Sequence, residues 1–68
     1  MKKQKKLNLK FREKVKRLRL GDRVFVNYFI FDAGAISKDG IVEDIGKDYI
    51  VIDKFLIHNY ELININKI

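Results

Sequence analysis

Cysteine, proline and tryptophan are absent from the 68 residues, and histidine occurs once. The chain therefore has no disulfide framework, and a lone His58 falls short of the four Cys or His ligands of a structural zinc site. No apolar run approaches the roughly 18 residues of a membrane span. The basic start is also not followed by an apolar stretch of about 7 to 15 residues, as it would be in a secretion signal. With 47% hydrophobic residues, the chain can form an apolar core instead. We expect one cytoplasmic domain over residues 1–68, with no cofactor and no metal.

Side chains for covalent or acid–base catalysis are equally scarce. Ser37 is the only serine, and threonine is absent. A nucleophile with its base would require Ser37 and His58 to meet, and a domain of this size has no deep cleft to orient paired carboxylates. The acids do not follow the ligand spacing of a calcium loop. The sequence therefore predicts a protein that is not an enzyme and has no catalytic residues.

Positive charge is concentrated at one end of the chain. Residues 1–23 contain 11 Lys and Arg against two acids, a net charge of +9. Residues 24–68 contain four Lys against seven acids, a net charge of −3, and the two parts together give the +6 of the whole chain. The pattern indicates a basic arm or helix attached to a mildly acidic body.

A helical pattern runs through the basic segment. One apolar residue recurs every three or four positions, namely Leu7, Phe11, Val15 and Leu18. This spacing places them on one narrow stripe and predicts an amphipathic helix over residues 6–19, after a frayed tail at residues 1–5. The alternation of Leu7, Leu9 and Phe11 would also suit a strand, but it stops at Phe11.

Short strands are predicted for residues 23–68. Arg23–Phe31 is dense in β-branched and aromatic residues, and we expect the apolar stripe of the helix to cover one of its faces. Asp32–Gly34 predicts a loop, and the Asp39-Gly40 pair is typical of a tight hairpin turn. Later strands are predicted at Ile41–Ile45 and Tyr49–Asp53, with two short ones within Phe55–Ile68.

A helix followed by about five short strands is the plan of a small, strongly bent β-barrel. Leu20–Val26, which begins with a turn, resembles the opening of SH3-like barrels of the KOW and Tudor kind. Gly40–Ile45 and Asp48–Ile52 are similar to the second hairpin of these barrels, with Gly40 where a strand must bend. Tyr60–Ile65 is similar to their short turn and closing strand. Sm-like barrels share this style and also begin with a helix. The resemblance implies a mainly β, five-stranded SH3-like or Sm-like barrel with an N-terminal amphipathic helix, in families that often bind nucleic acid or peptides.

The basic segment provides the main indication of function. Its excess of cations is larger than solubility requires, and a charged helix flank can contact phosphates without exact geometry. We predict a small nucleic-acid-binding protein, an accessory or regulatory factor. RNA or single strands are favoured over a duplex, since no recognition helix with base-reading residues at groove spacing is visible. The predicted phosphate contacts are Lys6, Lys10, Arg12, Lys14, Lys16, Arg17, Arg19 and Arg23.

Tyrosines are the predicted base contacts. Unpaired bases can stack on exposed aromatic rings, and two of the three tyrosines are next to turns. By contrast, Phe11, Phe25 and Phe29 are predicted to lie in the core. The predicted stacking residues are Tyr28, Tyr49 and Tyr60.

Other interpretations of the same features stay open. The basic segment could be a solvated face, or a helix lying on an anionic membrane, although packing on the first strand would hide its small apolar side. The chain could instead be a protein-interaction module that binds an acidic partner or adds a strand at an open sheet edge. A homo-oligomeric ring would match the Sm-like barrels, and a monomer would match the KOW-like ones.

Overall fold

Five antiparallel strands form one sheet in the computed structural model, which describes residues 11–68. The strand order is β4-β3-β2-β1-β5, and a helix, α1, precedes the sheet and covers residues 11–15 of the described chain. The strands are β1 Arg23–Ile30, β2 Gly34–Ile45, β3 Tyr49–Ile52, β4 Phe55–His58 and β5 Leu62–Lys67. The mainly β fold with five strands that the sequence predicts is confirmed. The predicted tail at residues 1–5 lies outside the described residues.

The apolar stripe of the basic segment packs into the core. Phe11, Val15 and Leu18 are all less than 9% exposed and belong to one cluster with the inner side chains of the sheet. This burial confirms the predicted role of three of the four stripe residues, and the fourth, Leu7, lies outside the described residues. The end of α1 at residue 15 differs from the predicted end at residue 19. The Leu18 N–H donates to the Val15 carbonyl (2.9 Å), which tightens the chain into a turn.

The turn into β1 explains this early helix end. The Asp22 carboxylate accepts a hydrogen bond from the Arg19 N–H (2.9 Å), and the Asp22 N–H donates to the Arg19 carbonyl (3.0 Å). Gly21, with φ +93°, takes the left-handed conformation that this reversal needs. Residues 16–19 therefore leave the helix and still carry their cations to the surface.

The predicted hairpin turn at Asp39-Gly40 is wrong, because both residues lie inside β2. The chain reverses earlier, at residues 31–33, one residue ahead of the loop expected at Asp32–Gly34. Gly40 stands where β2 passes from its pairing with β1 to its pairing with β3. A Cβ there would lie 2.5 Å from an Asp53 carboxylate oxygen and 2.8 Å from the Ile52 Cγ2. The glycine permits a close approach between strands and does not form a turn.

The β3–β4 hairpin has a two-residue turn in which Asp53 and Lys54 both have positive φ, +50° and +67°. This is the geometry of a type I′ turn, for which glycine is normally preferred. Acidic side chains hold the turn against β2. Asp53 accepts from the Ile41 N–H, and Glu43 accepts from the Lys54 N–H, each at 2.9 Å. Two acids of the body thus have a structural role.

One face of the sheet forms the core and the other is exposed. The inner face contributes Val24, Val26, Tyr28, Val42, Ile50, Ile52, Ile57, Leu62 and Ile65. Phe11 joins them as predicted, but the prediction that Phe25 and Phe29 lie in the core is wrong. Both alternate with the inner residues of β1 and point to the outer face, where they are 42% and 48% exposed.

Candidate nucleic-acid interface

Cations of α1 and of the segment that joins it to β1 lie on the surface. Arg12, Lys14, Lys16, Arg17 and Arg19 are all exposed, because the side that faces the core is occupied by the buried stripe. Within residues 11–68 ion pairs form only at Arg23–Asp39 and Lys67–Asp22. The side chains of Arg12, Lys16, Arg17 and Arg19 are therefore not neutralised by carboxylates of that part of the chain.

A groove of about 410 Å³ separates this segment from β5. We call it the basic groove, and its lining residues are Glu13, Lys14, Lys16, Arg17, Leu18, Ile65, Asn66 and Lys67. Four cations and one acid thus line the same concave surface. The Lys14 Nζ donates to the Ile63 carbonyl (2.8 Å), and the Lys67 Nζ lies 3.6 Å from an Asp22 carboxylate oxygen. These contacts fix two of the cations at the β5 side.

The remaining predicted phosphate contacts are not all in the basic groove. Lys6 and Lys10 lie outside the described residues. Arg23 starts β1 on its exposed side and donates to the Asp39 carboxylate at 3.0 Å. This hydrogen bond, together with the positive charge of Arg23, lowers the pKa of Asp39. Because both side chains are at least half exposed, the pair stabilises the fold little; its main effect is to compensate the charge of Arg23 locally.

The three predicted stacking tyrosines have different environments. Tyr28 is 4% exposed, and its ring centroid lies 5.3 Å from that of Phe55. It faces the core because β1 turns its even-numbered residues inward, so its predicted role in base stacking is wrong. Tyr60 is 78% exposed and stacks on His58 at 5.1 Å, which leaves its other ring face open.

Tyr49 is half-buried, and its hydroxyl donates to the Asp44 carboxylate at 3.2 Å. That hydrogen bond and the negative charge of Asp44 raise the pKa of Tyr49 above its ordinary value of 10.0. The phenol is therefore held protonated beside an acid. A phosphate would be repelled here, so Tyr49 is a weaker candidate for base contact than Tyr60.

Removing this carboxylate should shift the tyrosine titration. We expect Asp44→Asn to lower the pKa of Tyr49 towards 10.0, since the charge that disfavours phenolate is lost. Because the folded-state pKa is raised, the interaction stabilises the fold below pH 10 and ceases to do so as the pH rises through the raised value. Ring-carbon NMR titration of both proteins would measure the shift. An unchanged pKa would contradict the assigned contact.

Sequence reasoning missed a row of side chains on the outer face of the sheet. Asn27 lies between the exposed rings of Phe25 and Phe29. It accepts a hydrogen bond from the Ser37 hydroxyl on β2, and its Nδ2 donates to the Asn64 Oδ1 on β5 at 2.7 Å. The amide within an otherwise apolar alternation was the available signal that this side of β1 is exposed, because an unpaired amide is costly in a core.

Comparison of the chain with protein-family models, with curated proteins and with solved structures gives no match. In the described part of the chain, no helix has both the length and the apolar content of a membrane span. The assignment of function consequently depends on the geometry and charge of the surfaces described above.

Proposed function

We propose that this protein binds single-stranded nucleic acid, RNA in preference to DNA, as a non-enzymatic accessory or regulatory factor. The basic groove and the exposed cations beside it would hold the phosphates. The observation that carries the proposal is the excess of cations in a concave surface: four line it against one acid, and of the four only Lys67 has an ion pair within residues 11–68, with Asp22. Arg12 and Arg19 extend the same charge beyond it, without a carboxylate partner in residues 11–68.

A flexible strand of phosphates fits such a surface better than a compact anion does. Lys and Arg side chains reach successive phosphates independently, and each contact releases condensed counterions. Lys14 and Lys67 are held on the β5 side, whereas Lys16 and Arg17 approach from the opposite wall. Cations on both walls can therefore contact one backbone along the length of the groove.

The proposed architecture is the small five-stranded barrel of the SH3-like or Sm-like kind. Two features support it: the strand order β4-β3-β2-β1-β5 and the 12-residue β2, which pairs with β1 before Val42 and with β3 from Val42 onward. A strand shared in this way lets a short chain curve one sheet around its own core. α1 and the turn after it then close one side of that core through Phe11, Val15 and Leu18.

Binding at two salt concentrations tests the proposed function. We expect a fluorescein-labelled 12-nucleotide oligouridylate to bind at about 50 mM salt, measured by anisotropy. Three or four phosphate contacts should weaken binding about 20- to 50-fold at 200 mM, because each lowers log K by about 0.7 per decade of salt. No measurable affinity for RNA or DNA at about 50 mM would refute the proposal.

A protein-interaction module is the second candidate function. It is supported by β4 and β5, which each have one edge without a neighbour among the described strands and could accept a strand from an acidic partner. A polyglutamate peptide of matched charge distinguishes the two candidates in the same titration. Tighter binding of the peptide than of the oligonucleotide would favour the interaction module.

A further inference from the structure

The outer face of β1 is a second surface, next to the basic groove. We call it the aromatic face and define it by Phe25, Asn27 and Phe29 with their cross-strand neighbours Ser37 and Asn64. We propose that the aromatic face binds unpaired bases, which stack on Phe25 and Phe29 while the phosphates of the same strand occupy the basic groove. This inference rests on the proposed function and names its substrate as single-stranded nucleic acid with accessible bases.

The two rings are placed as separate stacking platforms. Residues at i and i+4 of a strand share a face and lie about 13 Å apart, with residue i+2 midway between them. Phe25 and Phe29 are 42% and 48% exposed, and neither contacts another aromatic ring within residues 11–68. Nearly half of each residue is therefore open to solvent, and every base can stack on an aromatic ring.

The polar row between the rings supplies hydrogen-bond donors for base edges. The Ser37 hydroxyl and the Asn64 Oδ1 fix the orientation of the Asn27 amide. An amide has two N–H donors, so one donor of Asn27 and both donors of Asn64 have no partner among the described residues. Base edges rich in carbonyl acceptors, such as those of uracil, match these donors.

The aromatic face is continuous with the basic groove. Asn66 lies directly opposite Phe25 in the β1–β5 pairing and also lines the basic groove. Neighbouring strands are about 4.8 Å apart, so a backbone seated in the groove can turn its bases onto Phe25. On the other side of Phe25 stands Asp39, whose charge is compensated by Arg23. A surface with cations beside exposed aromatic rings is suited to single-stranded nucleic acid, because the bases of a duplex are stacked on one another and cannot stack on the rings.

Replacing both rings tests this inference against the proposed function. Phe25→Leu/Phe29→Leu keeps apolar side chains on an exposed face, so the fold should be retained. We expect its affinity for the 12-nucleotide oligouridylate to fall about 10- to 100-fold, since stacking on each ring is lost. Its affinity for a 12-base-pair RNA duplex should stay within about twofold of the wild-type value, with an unchanged salt slope.

Two controls accompany the double variant. Leu56→Ala removes an apolar side chain that is 43% exposed on β4 and should bind oligouridylate like the wild type. Phe25→Tyr/Phe29→Tyr keeps both rings and should retain the affinity. If the leucine variant does not fold, NMR of the wild type decides instead: upfield shifts of the Phe25 and Phe29 ring protons on adding oligouridylate support stacking, and their absence overturns it.

The possible results separate the two proposals. Wild-type protein that binds neither oligouridylate nor duplex refutes the proposed function. Salt-dependent wild-type binding that survives the leucine substitutions overturns the aromatic face alone. Light scattering compares the oligomeric state of the wild type with that of the leucine variant. If the wild type is a dimer, the variant is a monomer and both bind RNA equally well, the aromatic face binds a second copy of the chain, and the inference is overturned.

Discussion

Lys16→Glu/Arg17→Glu is expected to lower the affinity for single-stranded RNA at least 60-fold at about 50 mM salt. Each phosphate contact on a single strand contributes about 0.7 in log K per decade of salt, and 50 mM lies about 1.3 decades below 1 M, which gives about eightfold per contact. The new carboxylates also repel the backbone. The slope of log K against log salt should become shallower by about 1.4. Anisotropy titrations over a range of salt measure both changes.

The fold should tolerate this double variant. Lys16 and Arg17 follow the last residue of α1, are exposed, and have no ion pair within residues 11–68. The buried stripe on either side of them, Val15 and Leu18, is unchanged. Acidic residues at a helix C-terminus are unfavourable by roughly 0.3–1 kcal/mol, which is small beside the expected loss of binding. Circular dichroism and thermal unfolding should therefore resemble those of the wild type.

Lys47→Glu/Lys54→Glu is the matched control. It changes the net charge by the same amount, but Lys47 and Lys54 lie in the connections on either side of β3 and do not line the basic groove. We expect at most a few-fold loss of affinity, from the weaker long-range attraction. An equal loss in both variants would mean that binding follows net charge and not the basic groove. No loss in either would remove the groove from the proposed function.

Local sequence signals identify the strands and the buried stripe, but not the role of Asp39-Gly40. The stripe of Phe11, Val15 and Leu18 is predictable because burying a period-3.6 apolar face is the main stabilisation available to such a segment. An Asp-Gly pair is suitable both for a tight turn and for a position where two strands approach closely, so the pair alone does not distinguish the two structures. The deciding contact comes from Asp53 and the neighbouring Ile52, more than ten residues later, which no local window contains.

The candidate site was predictable in its charges and not in its rings. Cations such as Arg17 must stay in water because burying an unpaired charge is prohibitively costly, so their exposure follows from composition. Both faces of β1 are apolar, however, and periodicity does not state which face the helix and the other strands cover. The fold buries the face with Tyr28 and exposes the face with Phe25 and Phe29. The amide of Asn27 is the one local sign of that choice, which otherwise depends on tertiary packing.

The second large effect is expected in the core, at Ile57→Ala. Ile57 is fully buried and pairs with Ile50 across the β3–β4 hairpin. Truncation removes its buried methyl and methylene groups and leaves a cavity, a change that costs about 2–5 kcal/mol. A domain of this size has a free energy of unfolding of roughly 3–10 kcal/mol. We therefore expect the Tm to fall by about 10–30 °C, measured by circular dichroism or calorimetry.

Leu56→Ala, one residue away on the same strand, is the internal comparison for that measurement. Leu56 points to the outer face and is 43% exposed, so its truncation should cost less than about 1 kcal/mol. The two variants together also report the register of β4, because a slip of one residue would exchange the two faces. A larger loss at Leu56 than at Ile57 would mean that β4 pairs with β3 one residue out of the register described, with Leu56 in the core.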